Sequence, residues 1–232
     1  MVKEKNIKAE KKNSNLYEFE QEFWLKNQLV CGIDEVGRGC LAGPIVTAAV
    51  ILNHHAIHEK IKDSKLLTSI QLENIYSWII KNSSYAIGIS NSRIIDKKNI
   101  YATTQITMKK ALFHLLQSTN KMPDIIVIDA MPLPLKNSPY NSIPLESWIK
   151  GESKSASIAA ASIIAKVTRD RILQKMHESF PLYGLQKHKG YGTPAHIATL
   201  KQNQACVIHR KTFIKNFKGS NHDTPNQQNL FC

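Results

Sequence analysis

The chain has 232 residues, 42% of them hydrophobic, enough for one large domain with a buried core and room for an appendage. Thirty-one Lys and Arg against eighteen Asp and Glu give a net charge of +13, which makes a polyanionic partner the first expectation. No run reaches the roughly 18 apolar residues of a membrane span, the four cysteines form no C-x-x-C pair, and P-loop, H-E-x-x-H and G-x-G-x-x-G signatures are missing, so zinc-protease and P-loop chemistry are unsupported.

The charged start, "MVKEKNIKAEKKN", has no apolar leader segment, and a reduced, cytoplasmic protein with no membrane partner is expected. Leu16, Phe19, Phe23 and Trp24 then recur at helical spacing, which closes a polar segment and short helix over residues 1–27. Strands are predicted at 29–34 and 45–52, joined by a Gly-rich connection that implies an antiparallel pair, and at 85–90. "TSIQLENIYSWIIKN" predicts a helix capped by Thr68 or Ser69, and residues 99–118 predict a second. "PDIIVIDAMPLP" is a β-branched strand ending at Asp129, with a weaker strand at 142–146.

A long helix is predicted over 153–178, apolar at Ile158, Ala161, Ala165, Ile172 and Met176, with Lys166, Arg169 and Asp170 on its other side. A shorter helix starts near Pro194. From Ser179 onward the only acidic residue is Asp223, so this basic C-terminal helical extension (181–217) reads as a phosphate-facing surface, followed by a flexible tail (218–232). A hairpin followed by alternating strands and helices implies an α/β fold, a mixed sheet flanked by helices, over 28–180.

The stretch "CGIDEVGRGCLAGP" drives an apolar strand into two adjacent carboxylates. Asp34 and Glu35 end the first strand, Asp129 ends another, and Glu152 precedes the long helix. If the two strands are parallel neighbours, their C-terminal ends adjoin where open α/β sheets place ligands. Carboxylates gathered there repel one another unless they hold hard cations such as Mg²⁺. Two such ions could activate water against a phosphodiester. The competing reading is a helix-capping Glu152, a turn-forming Asp129 and a coincidental pair at Asp34 and Glu35.

At Gly37-Arg38-Gly39 bare backbone can approach a sugar–phosphate and address the 2′-hydroxyl that distinguishes RNA from DNA, while Arg38 grips a phosphate. A tight turn that merely needs glycine is the alternative. Lys65, Lys166, Arg169, Lys187 and Lys189 are candidate phosphate contacts, with a solvated helix face the competing reading for the first three.

These residues resemble the type 2 ribonucleases H, and within them bacterial ribonuclease HII. The resemblance runs through "GIDEVGRGCLAGPIVTAAV", "KDSKLLT", "IIVIDA", "IKGESKSASIAAASIIAKVTRDR", "YGLQKHKGYGTPAH" and "HRKTF", over about residues 28–215. It implies an RNase H-like fold and Mg²⁺- or Mn²⁺-dependent endonucleolytic cleavage of RNA in RNA/DNA hybrids and at a single ribonucleotide within duplex DNA. It also implies a catalytic and metal-binding set of Asp34, Glu35, Asp129 and Glu152. Tyr191 is implied as the ring that packs on the following deoxyribose, as partner to the Gly37-Arg38-Gly39 turn.

Glu152 departs from the family pattern, which places Asp in "KGDS", and its extra methylene puts metal preference in question. A ribonuclease HIII-like enzyme is the near alternative, although that branch carries an extra N-terminal domain and "GRG" favours HII. A non-catalytic nucleic-acid-binding module on the same fold is the other. At the C-terminus, Gln227, Leu230 and Phe231 in "QQNLFC" resemble the Gln-x-x-Leu-Phe peptides that hold the bacterial sliding clamp. The expected enzyme is a monomer.

Overall fold

Two apolar runs, VCGIDEV and IVTAAVIL, form the centre of a five-stranded sheet in the computed structural model, which describes residues 16–61 and 67–215. They are β1 (Val30–Val36) and β2 (Ile45–Leu52), paired antiparallel with Ile33 opposite Ala49. β3 (Ser83–Ser90) continues the antiparallel side. On the other side β4 (Ile125–Asp129) runs parallel to β1, and β5 (Leu145–Trp148) runs parallel to β4, giving the order β3-β2-β1-β4-β5. β2 is buried at every position, as a strand covered on both faces must be.

On one face lie α1 (Glu18–Trp24), α2 (Ser69–Asn82) and α5 (Ala156–Ser179), and on the other α4 (Ile100–Ser118). α2 begins in a reciprocal cap: the Gln71 N–H donates to Thr68 Oγ1 at 3.3 Å, and the Thr68 N–H to Gln71 Oε1 at 2.9 Å. A short helix before α4, α3 (Ser92–Lys98), was not predicted. Asn91 caps it, and Asn99 ends it at φ +64° while capping α4 through Ala102 N–H at 3.0 Å. Seven residues are too few for an apolar period to register.

β5 starts at Leu145 rather than at 142, and Pro144, which has no N–H to give, contributes only its carbonyl, accepting from Ile126 at 2.8 Å.

Gly32 lets the first turn of α5 lie against β1, since a Cβ there would overlap the Ser157 backbone. α5 itself differs from the predicted amphipathic helix. Arg169, placed by its spacing on a polar side, is wholly buried. The reason is the chain that follows α5: α6 (Leu185–His188) and α7 (Pro194–Asn203) build a third apolar cluster with Leu41, Leu173, Tyr183 and Ile208, closing over the second half of α5. No helix among the described residues is long and apolar enough to cross a membrane.

Candidate active site

β1 and β4 are in register at Ile33 and Ile128, so one step further Asp34 and Asp129 stand side by side where the parallel pairing stops, at the end of β4 and two residues before the end of β1. The pleat that sends Ile33 and Ile128 toward α4 sends the next residue on each strand toward α5. Asp34 is 7% exposed and is hydrogen-bonded by Ser162 of α5. Burial first, then the charges of Glu35 and Asp129, push the Asp34 carboxyl well above the usual range. Glu35 is also raised, chiefly by burial, and Arg38, 3.3 Å away, opposes the rise.

Glu152 reaches the same corner through the backbone. The Gly151 N–H donates to Asp129 Oδ1 at 2.7 Å, and Glu152 follows in the 3-10 turn Gly151–Ser153, 8% exposed. It is not the cap of α5. That duty falls to Ser155, whose Oγ accepts from Ile158 at 3.2 Å, and to Glu20 of α1. The buried Glu20 carboxylate accepts from Ser155 Oγ (2.5 Å), Ala156 N–H (3.1 Å) and Ser157 N–H (2.9 Å).

The donor chemistry fits a hard divalent cation: four carboxylates, two of them with ionisation opposed by burial and mutual charge. Glu35 Oε2 is also buried with no hydrogen-bond partner among the described residues. The fit is one of chemistry and not of a formed cage, since among the described residues no three His, Cys, Asp or Glu side chains stand together closely enough to hold an ion.

Beyond β1 the chain turns sharply at Gly37, at φ +93°, where a Cβ would run into the Arg169 guanidinium. Arg38 and Gly39 are exposed. Tyr191 is 43% exposed, with the Arg169 guanidinium carbon 5.9 Å from its ring centre. Lys166 is partly buried and paired with Asp170 at 2.9 Å, Lys187 is exposed, and Lys189 is half-buried at φ +50°.

Arg169 is corrected from phosphate contact to internal tie, because its nitrogens are held by the carbonyls of Pro44, Ala42 and Lys189. Lys65, Gln227, Leu230 and Phe231 lie outside the described residues.

Other residues near this corner had no assigned role in the sequence reading. Arg210, in "HRKTF", is fully buried behind the Gly37 turn. His209 Nδ1 accepts from the Cys206 N–H at 3.1 Å, which leaves its proton on Nε2, facing His196 Nε2 at 3.1 Å. His196 Nδ1 then donates to the Tyr191 carbonyl at 2.8 Å. The signal for these residues was the motif itself, a histidine and two cations in a segment with no acid to pair them.

Residues 31–216 match the family model described as Ribonuclease HII. Ribonuclease HII of Acetivibrio thermocellus is 45% identical over 218 residues, covering 92% of this chain and 82% of that protein. The Caldicellulosiruptor saccharolyticus enzyme of the same name is 39% identical, covering 88% and 96%. Among solved structures, ribonuclease H2 of Pyrococcus horikoshii superposes with a TM-score of 0.67 at 26% identity, over 82% of this chain and 97% of that one. The PCNA:RNase HII complex of Archaeoglobus fulgidus gives 0.65 at 26%, over 78% and 93%. With the mixed sheet and its flanking helices, these matches establish an RNase H-like fold. The chain belongs to the ribonuclease HII family and is a type 2 ribonuclease H.

Proposed function

We propose that this enzyme hydrolyses the RNA strand of RNA/DNA hybrids and nicks duplex DNA on the 5′ side of a single embedded ribonucleotide, leaving a 3′-hydroxyl and a 5′-phosphate. The observation that carries the proposal is the adjacency of Asp34 and Asp129 on parallel strands, a few residues from the Gly37-Arg38-Gly39 turn, of which Arg38 and Gly39 are exposed. Asp34, Glu35, Asp129 and Glu152 would hold Mg²⁺ or Mn²⁺, which when bound supplies an activated water and neutralises charge on the scissile phosphate.

The chain's own residues do the rest. Arg38 meets a phosphate, the turn addresses the ribose, and Tyr191 sets its ring against the following sugar, where a 2′-hydroxyl would clash. Lys65, Lys166, Lys187 and Lys189 add sequence-independent attraction that weakens with salt. The test is cleavage of duplex DNA carrying one ribonucleotide, with both new ends mapped. A 2′,3′-cyclic phosphate product would overturn the proposal, because it requires attack by the 2′-hydroxyl.

The same enzyme, acting as a cytoplasmic monomer, would be held at DNA by a sliding clamp. Leu230 and Phe231 would fill an apolar pocket on the clamp and Gln227 its rim, on a tether that raises local concentration. The support is the "QQNLF" sequence and the archaeal family member described in complex with PCNA. Removing residues 227–232 should abolish clamp capture without changing cleavage of a short duplex, and capture that survives the deletion refutes the assignment.

A further inference from the structure

Two guanidinium groups lie wholly buried behind the Gly37 turn, and neither is ion-paired among the described residues. A buried cation with no anion beside it is unfavourable, so the groups it does hold are informative. Arg210 donates from Nη2 to Gly37 O (2.7 Å) and Gly43 O (3.0 Å), and from Nη1 to Arg38 O (2.8 Å). Arg169 donates from Nε to Pro44 O (3.0 Å), from Nη2 to Ala42 O (3.1 Å) and from Nη1 to Lys189 O (2.8 Å). Every one of these hydrogen bonds is to a main-chain carbonyl, and all the carbonyls belong to the loop after β1 or to the turn that leads into Tyr191.

The consequence follows from peptide geometry. In a trans peptide the C=O and N–H point in opposite directions, and no cis bond occurs here. With the Gly37 and Arg38 carbonyls drawn inward onto Arg210, the N–H groups of Arg38 and Gly39 are turned outward. Both residues are exposed, and neither N–H donates to any acceptor among the described residues. The cation behind each peptide polarises it and strengthens the outward donor. What the turn offers a nucleic acid is therefore a pair of adjacent donors, matched to the oxygen acceptors of a ribose and its phosphate.

We propose that Arg210 is a positioning residue for ribonucleotide recognition. It acts through the Gly37–Arg38 and Arg38–Gly39 peptides, whose N–H groups it turns outward, while Arg169 ties the same loop to the segment carrying Tyr191. The inference rests on the assignment of the Gly37-Arg38-Gly39 turn to ribose reading under the proposed function.

The experiment measures affinity of the full chain, in EDTA so that nothing is cut, for two duplexes of equal length. One is all DNA and the other carries a single ribonucleotide. Arg210→Lys keeps a positive charge but cannot span three carbonyls. It should lower the preference for the ribonucleotide duplex by about tenfold, the worth of two hydrogen bonds of about 0.7 kcal/mol each, with all-DNA affinity within about twofold of wild type. Arg38→Ala, which removes an exposed charge, should instead weaken both duplexes by a similar factor.

An Arg210→Lys protein that keeps the full preference, or that loses affinity for both duplexes equally, overturns the positioning role. A wild-type protein with no preference brings down the ribose-reading assignment, and this inference with it, before any variant is made. If Arg210→Lys does not fold by circular dichroism, Arg169→Lys takes its place: a reduced preference is expected, and an unchanged one overturns the inference.

Discussion

Replacing Glu20 with alanine removes the one carboxylate that closes the N-terminus of α5. Glu20 is wholly buried and accepts three hydrogen bonds, from Ser155 Oγ, Ala156 N–H and Ser157 N–H. The alanine leaves two buried peptide donors and a hydroxyl without that acceptor. At about 1–3 kcal/mol for each orphaned group, with the hydroxyl free to rotate elsewhere, the loss is about 3 kcal/mol. For a domain of this size that lowers the melting temperature by roughly 6–12 °C. Glu20→Gln keeps one acceptor oxygen and should lose about half as much, while the exposed Glu18→Ala should change little. Calorimetry or thermal circular dichroism reads all three. Because Glu152 lies three residues before Ser155, Glu20→Ala should also lower cleavage at temperatures where the protein is fully folded. A melting temperature within about 2 °C of wild type would show that the Glu20 cap carries no stability.

Three further outcomes are expected. Glu152→Gln should lose activity by about 10²-fold or more, whereas Glu152→Asp should retain it with an altered Mg²⁺/Mn²⁺ preference, read from metal titrations of the cleavage rate; an unaffected Glu152→Gln removes Glu152 from the site. Tyr191→Ala should reduce cleavage at a single ribonucleotide about fivefold more than cleavage of an all-RNA hybrid, for roughly 1 kcal/mol of ring packing, and equal losses would leave the tyrosine a structural role only.

The third concerns acid stability. Burial first, then His196, hold the His209 imidazole neutral, pushed down to about 4 from 6.5. As pH drops, the unfolded chain takes up a proton that the folded chain refuses. Stability is full above pH 6.5, erodes as the pH falls, and the erosion is complete once the pH passes about 4. The total is on the order of 3 kcal/mol. Urea unfolding at pH 7.5 and 4.5 should show a smaller difference for His209→Asn than for wild type, and identical differences would reject this source of acid sensitivity.

What was legible in the sequence was local or periodic. An apolar run with a Gly-rich connection specified the β1–β2 hairpin, whose second strand was placed at its observed bounds, and a β-branched run bounded by proline specified β4. The adjacency of Asp34 and Asp129 followed from pairing those two strands in parallel. The residues that escaped are those whose environment is assembled from far along the chain. Arg169 has the spacing of a solvated side chain on α5, and only the packing of the C-terminal cluster over α5 makes its surroundings an interior. Glu20 looks like the polar side of a short amphipathic helix, yet its partners are more than 130 residues away. Arg210 reaches back to Gly37 across 173 residues, a contact no periodicity encodes. Buried charges on backbone carbonyls leave no pattern of complementary charges to read.

Under the proposed function, the carboxylates of β1 and β4 perform the cleavage and do not merely hold the fold. The most direct measurement compares turnover with binding in Asp34→Asn. Neutralising this buried carboxylate relieves its repulsion with Glu35 and Asp129, so the protein should fold at least as stably as wild type. Cleavage of a duplex with one ribonucleotide in Mg²⁺ should fall by about 10³-fold or more, with hybrid affinity within a few-fold of wild type. An Asp34→Asn enzyme that folds, binds and still cuts at the wild-type rate would contradict the account.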